Sequence, residues 1–121
     1  MTLDGLDHVA LGVQDLKHSV QWYSDVLGLK RQHDEMWNGV PTFIGTGETG
    51  LALFPRESPN AGAGGILHLA FRANRENFIA AQAALRSRGI EFHFEDHEIA
   101  HSIYFRDPDG HRLEITTYQL E

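Results

Sequence analysis

The chain has 121 residues, 41% of them apolar and 22% charged, with a net charge of −7 and no cysteine. That length fits one compact domain, and the missing cysteine excludes disulfides, zinc–thiolate sites and a cysteine nucleophile. The acidic balance, with ten Lys and Arg scattered along the chain, excludes nucleic acid as the main partner and an anionic membrane surface as a docking site. Met1-Thr2-Leu3-Asp4 opens no signal-peptide pattern, and no apolar run approaches the ~18 residues of a membrane span; the expected location is cytoplasmic. Any metal ion must be held by His, carboxylate or water, and the chain has eight histidines.

In chain order, the first strand is read at Leu6-Asp7-His8-Val9-Ala10-Leu11. Asp15 then caps a helix that carries Leu16, Val20, Tyr23 and Leu27 at three- and four-residue spacing, and Gly28 stops it. Three short strand-like runs follow, at roughly 29–36, 39–46 and 50–55. The Pro- and Gly-rich stretch from Pro55 to Gly65 reads as a linker. The pattern then repeats. Ile66-Leu67-His68-Leu69-Ala70-Phe71 matches the first strand at a separation of about 60 residues. Asn74 caps a helix with Phe78, Ala81 and Leu85 on one face, Gly89 stops it, and strand runs follow at roughly 90–95, 101–106 and 111–118. The fold class is therefore α+β, as β-α-β-β-β twice: module one about 4–55, linker about 56–65, module two about 66–118, within a single domain over 1–121.

Three residues stand out as metal ligands. His8 and His68 occupy equivalent places on the first strand of each module, and Glu114 sits in the last strand of module two. Side chains alternate faces along a strand. His8 thus opposes Val9 and Leu11, His68 opposes Leu67 and Leu69, and Glu114 opposes Leu113 and Ile115. All three polar groups point away from the helix-packed layer. A buried carboxylate is unfavourable without a partner, and a metal ion would be one. Two imidazoles and a carboxylate with open positions suit Fe(II) or Mn(II), while Zn(II) uses related sets. The structural alternative is a satisfied histidine on each strand and a Glu114 paired with an arginine such as Arg72. The turn Asp107-Pro108-Asp109-Gly110 predicts a hairpin that sets Tyr104 opposite Glu114 and on its face.

At these residues the sequence resembles the vicinal oxygen chelate superfamily, the glyoxalase, bleomycin-resistance and extradiol dioxygenase family. The likeness runs over nearly the whole chain, through Asp7-His8-Val9-Ala10-Leu11, Trp22-Tyr23-Ser24-Asp25-Val26-Leu27-Gly28-Leu29, His68-Leu69-Ala70-Phe71 and the run from Tyr104 to Glu114. It implies two tandem modules whose curved mixed sheets surround a metal-binding cup, one divalent ion (Fe2+ or Mn2+ first, Zn2+ or Ni2+ as alternatives), a small-molecule substrate chelating through adjacent oxygens, and a homodimer. The four-ligand glyoxalases take a further Glu from the last strand of module one, where alignment of Leu51-Ala52-Leu53-Phe54 with Leu113-Glu114-Ile115-Thr116 puts Ala52. His97, Ile103, Tyr104, Asp107, Pro108, Gly110 and Glu114 fit the extradiol signature, which departs only at Glu95.

The resemblance therefore implies a metal-dependent enzyme, first an extradiol-type ring-cleaving dioxygenase, with a glyoxalase-like isomerase or thiol transferase as the alternative. In it the metal is a Lewis acid, Tyr104 hydrogen-bonds the substrate and His97 serves as acid–base group. His101 is read instead as a surface histidine. A metal-free small-molecule binding or sequestering protein is the reading from a different class.

Overall fold

Asp15 begins the first helix as its sequence predicts. Its backbone is extended and its carboxylate accepts the His18 N–H at 3.0 Å, which satisfies one of the donors a helix start leaves open. The computed structural model describes residues 1–2, 4–34, 36–56 and 66–121. Two compact units result, Met1–Ala63 and Gly64–Glu121. The predicted linker, about 56–65, lies outside the described residues except for Arg56 and the neighbouring part of its Pro- and Gly-rich stretch at Pro55.

The first unit runs β1 (His8–Val13), α1 (Leu16–Leu27), β2 (Lys30–Gln32), an irregular turn (Met36–Gly39), β3 (Thr42–Thr46) and β4 (Thr49–Pro55). Gly28, at φ 68, ends α1 in the left-handed region that favours glycine, and its N–H donates to the Ser24 carbonyl at 3.0 Å. The sheet order is β1-β4-β3-β2, with β1 parallel to β4 and the other pairs antiparallel. Leu11, Val13, Ile44, Leu51 and Leu53 are buried, as is Tyr23 of α1, while His8 and Ala10 on the other face of β1 are exposed. β2 and β3 are shorter than the predicted 29–36 and 39–46. His33 turns into the left-handed region at φ 53, and Pro41 has no N–H for a ladder.

The second unit repeats the plan. It runs β5 (Leu69–Arg72), α2 (Arg75–Ser87), β6 (His93–Asp96), β7 (His101–Arg106) and β8 (Arg112–Thr117), in the order β5-β8-β7-β6. The Asn74 side chain accepts the Asn77 N–H at 2.8 Å. Glu76 in the first turn and Arg86 in the last complement the helix dipole. Phe78 and Leu85 of α2 are buried, as are Ile103, Phe105, Leu113 and Ile115. The pairing with β8 begins only at Leu69↔Leu113, so His68 stands one residue before the ladder rather than within a strand from Ile66. Neither described helix is long and apolar enough to cross a membrane.

The two registers match. Ala10↔Ala52↔Phe43 runs across the first sheet and Ala70↔Glu114↔Tyr104 across the second. This makes Ala52 the counterpart of Glu114, as the sequence alignment expects, and Phe43 the counterpart of Tyr104. One helix supplies a stability test. Leu85→Ala removes a side chain that is 2% exposed and is expected to lower unfolding free energy by about 2–5 kcal/mol. Ile79→Ala, at a position 54% exposed, should change it by no more than about 0.5 kcal/mol. Urea unfolding of both variants measures the contrast.

Candidate metal centre

The chemistry of the second unit is set by one sheet face. The hairpin between β7 and β8 places Tyr104 directly opposite Glu114 and Ser102 opposite Thr116, and β6 adds His93 opposite Tyr104. The other face carries Ile103, Phe105, Leu113 and Ile115, all buried. Glu114 is itself only 8% exposed. Its carboxylate is held from both sides. Ser102 Oγ donates to Oε2 at 2.7 Å, and His68 Nε2 lies 2.9 Å from Oε1. Glu114 does not reach Arg72, whose guanidinium lies over the Tyr118 ring at 5.7 Å. A carboxylate withdrawn from water without such partners would be strongly destabilising.

Tyr104 extends the network outward. It stands directly opposite Glu114, and His97 Nε2 is 2.8 Å from its hydroxyl. Either group can donate in this bond, and the imidazole tautomer sets its direction. Partial burial, then the Glu114 and Glu95 charges, push the Tyr104 phenol above the ordinary tyrosine value, with the Arg112 guanidinium opposing. The phenol therefore stays protonated at neutral pH. Arg112 covers its ring at 4.3 Å, and the His68 ring meets it edge-on at 5.8 Å. Glu95 reaches His93 Nε2 at 3.2 Å and His97 Nε2 at 3.5 Å.

His8 belongs to the first unit. Its Nδ1 sits 2.8 Å from Asp7 Oδ2, which fixes the tautomer with the lone pair on Nε2. This is the carboxylate–imidazole arrangement found behind metal-binding histidines. Phe43 packs edge-on against the ring at 4.9 Å. Among the described residues no three His, Asp or Glu side chains are drawn into one metal-sized group; His68 and Glu114 are brought together and His8 is placed with Asp7. The donors nevertheless fit a divalent ion. Two ligands each about 2.1 Å from a shared ion, roughly 90° apart, stand about 3 Å from each other, close to the 2.9 Å between His68 Nε2 and Glu114 Oε1.

His101 departs from its expected surface role. Its Nδ1 accepts from Arg75 Nη1 at 2.9 Å and Nε2 faces Asp96 at 3.8 Å, so it is half-buried between β7 and the start of α2. His18 is exposed on α1, as expected. Ser102, Glu95, Arg112 and Asp7 were not singled out as functional from the sequence. For Ser102 a signal was available: it lies two residues before Tyr104 and so shares its face.

With the fold and this donor set in view, comparison with known proteins defines the class. The chain belongs to the Glyoxalase/Bleomycin resistance protein/Dioxygenase superfamily, whose family model matches residues 5–115. It is 29% identical to the metallothiol transferase FosB of Staphylococcus epidermidis, over 100% of this chain and 87% of that protein. It is 33% identical to biphenyl-2,3-diol 1,2-dioxygenase 3 of Rhodococcus globerulus, over 91% of this chain but 61% of that longer protein. Its backbone matches the crystal structure of an integron cassette protein from the mobile metagenome of the Halifax Harbour sewage outfall with a TM-score of 0.77, at 28% identity over 95% of this chain and 99% of the other.

The Ser102–Glu114 bond can be tested apart from any activity. Ser102→Ala is expected to lower stability by about 1.5–3 kcal/mol, the range for a buried hydrogen bond to a charged group. Ser87→Ala, which removes an exposed hydroxyl bonded to the Ala84 carbonyl, should cost less than about 0.5 kcal/mol. Chemical denaturation reads both.

Proposed function

We propose that this chain is a divalent-metal-dependent enzyme acting on a small substrate that presents two adjacent oxygens, with His8, His68 and Glu114 as the metal ligands. The observation that carries the reading is the 2.9 Å approach of His68 Nε2 to the buried Glu114 carboxylate, with Tyr104 directly opposite Glu114 on the neighbouring strand. When bound, a divalent ion at these donors supplies Lewis-acid polarisation of the substrate oxygens and lowers the pKa of a coordinated hydroxyl. Fe2+ and Mn2+ are favoured by the two-imidazole, one-carboxylate set.

The chain's own residues do the rest. Ser102 fixes the direction of the Glu114 carboxylate. Asp7 holds the His8 ring with Nε2 presented. Tyr104, protonated at neutral pH, offers its O–H to a substrate oxygen. His97, hydrogen-bonded to the phenol oxygen at 2.8 Å, moves a proton to or from that oxygen, which suits an imidazole at neutral pH.

Within this class the His97–Tyr104 bond supports extradiol-type ring cleavage, the reading of the extradiol signature. The second reading, thiol transfer to a small electrophile, is supported by the likeness to FosB over the full length of this chain. Metal analysis of protein purified without chelator tests the shared claim. About one Fe, Mn, Zn or Ni per chain is expected, lost in His8→Ala and in His68→Ala; a chain that holds and takes up none of these ions contradicts it. Tyr104→Phe should keep the ion and lower turnover by roughly 10²-fold or more, the scale of one acid–base group. Oxygen uptake by the Fe(II) form with catechols then separates the branches: uptake supports ring cleavage, and its absence across varied catechols, with thiol consumption in its place, supports transfer.

A further inference from the structure

Two arginines stand directly opposite one another on the face that carries Glu114. Arg106 pairs with Arg112 across β7 and β8, next to the Tyr104↔Glu114 pair. Like charges placed opposite on a sheet are destabilising. Among the described residues neither guanidinium is answered by a carboxylate. Arg106 Nη1 donates to the neutral Gly110 carbonyl at 2.7 Å, and Arg112 lies over the Tyr104 ring. Beside them opens a hollow of about 720 Å³, lined by Glu91, Phe92, His93, Tyr104, Arg106 and Arg112. Glu91 makes an ion pair with neither arginine among the described residues.

We propose that this hollow is the subsite for an oxyanion, a carboxylate or a phosphonate, carried by the substrate. A guanidinium presents a planar fork of donors that matches either group, and two of them explain a like-charge opposition that the sheet otherwise only suffers. On a chain of net charge −7, this is a local reversal of sign. Phe92 and the Tyr104 ring wall the space for an apolar body between the two ends. Arg112 is two residues from Glu114 on one strand face, a backbone offset of about 7 Å. The substrate is therefore ring-sized: adjacent oxygens at the end marked by Glu114 and Tyr104, and an anionic group at the arginine end. Its standing as a substrate subsite rests on the metal-enzyme reading; the binding of the anion does not.

The two claims separate experimentally. Phenylphosphonate, benzoate and neutral benzyl alcohol are titrated into the full chain stripped of metal, followed by NMR and calorimetry. At least one of the two anions is expected to bind at one site and benzyl alcohol to bind at least tenfold more weakly. Tighter phenylphosphonate identifies a tetrahedral group and tighter benzoate a carboxylate. Arg106→Gln and Arg112→Gln should each weaken the anion tenfold or more. Arg112→Lys, which keeps the stem and charge but loses the fork, should lose less. Glu114→Gln should lose Mn(II) binding and keep the anion. Equal binding of benzyl alcohol, or anion affinity unchanged in the Arg106→Gln/Arg112→Gln double variant with its fold verified by circular dichroism, overturns the subsite. Anion binding with no metal uptake overturns the enzyme reading alone.

Discussion

A carboxylate withdrawn from water needs partners on both oxygens, and Glu114 sets that demand in the second unit. It sits in β8 with Leu113 and Ile115 turned to the buried face beside it. Ser102 meets one oxygen and His68 the other, and Tyr104 stands directly opposite Glu114. Two segments thus converge on this one group in β8: the residue before β5 and Ser102 near the start of β7. His68 reaches it from one residue before the strand ladder begins. The remaining polar neighbours, His97, Glu95 and Arg112, are arranged around Tyr104 and so depend on the same group at one remove.

The first unit has the same scaffold without this demand. Its register places Phe43 where the second unit has Tyr104, and Ala52 where it has Glu114. The imidazole is kept: His8 meets the Phe43 ring edge-on much as His68 meets that of Tyr104. What is lost is the carboxylate and the phenol. His8 instead takes its carboxylate from its own neighbour, Asp7. Repetition with divergence accounts for both the shared topology and the uneven distribution of chemistry.

The topology was legible because its signals are local. Asp15 and Asn74 cap helices, Gly28 and Gly89 end them, and Asp107-Pro108-Asp109-Gly110 fixes a hairpin whose register follows from the turn. That register is why Tyr104 could be set opposite Glu114 from sequence alone. What escaped depends on contacts between segments. His68 and Glu114 were expected together through a shared ion, but their direct 2.9 Å contact, between the residue before β5 and β8, is stated by no spacing rule. His101 read as a surface histidine because nothing near it in sequence shows Arg75, 26 residues away, bonding its ring. β2 ended early because His33 takes a left-handed backbone, which a histidine reveals far less than a glycine would. The opposed arginines were also in view, but their consequence appears only once the hairpin register puts Arg106 across from Arg112.

The account turns on whether Glu114 and His68 share an ion. Anomalous diffraction from crystals of the chain grown with Mn(II), collected at the manganese edge, reads this directly. The expected result is one strong peak per chain, about 2.0–2.3 Å from both His68 Nε2 and a Glu114 carboxylate oxygen. A peak elsewhere, or none at saturating Mn(II) with the His68–Glu114 bond intact, would contradict it.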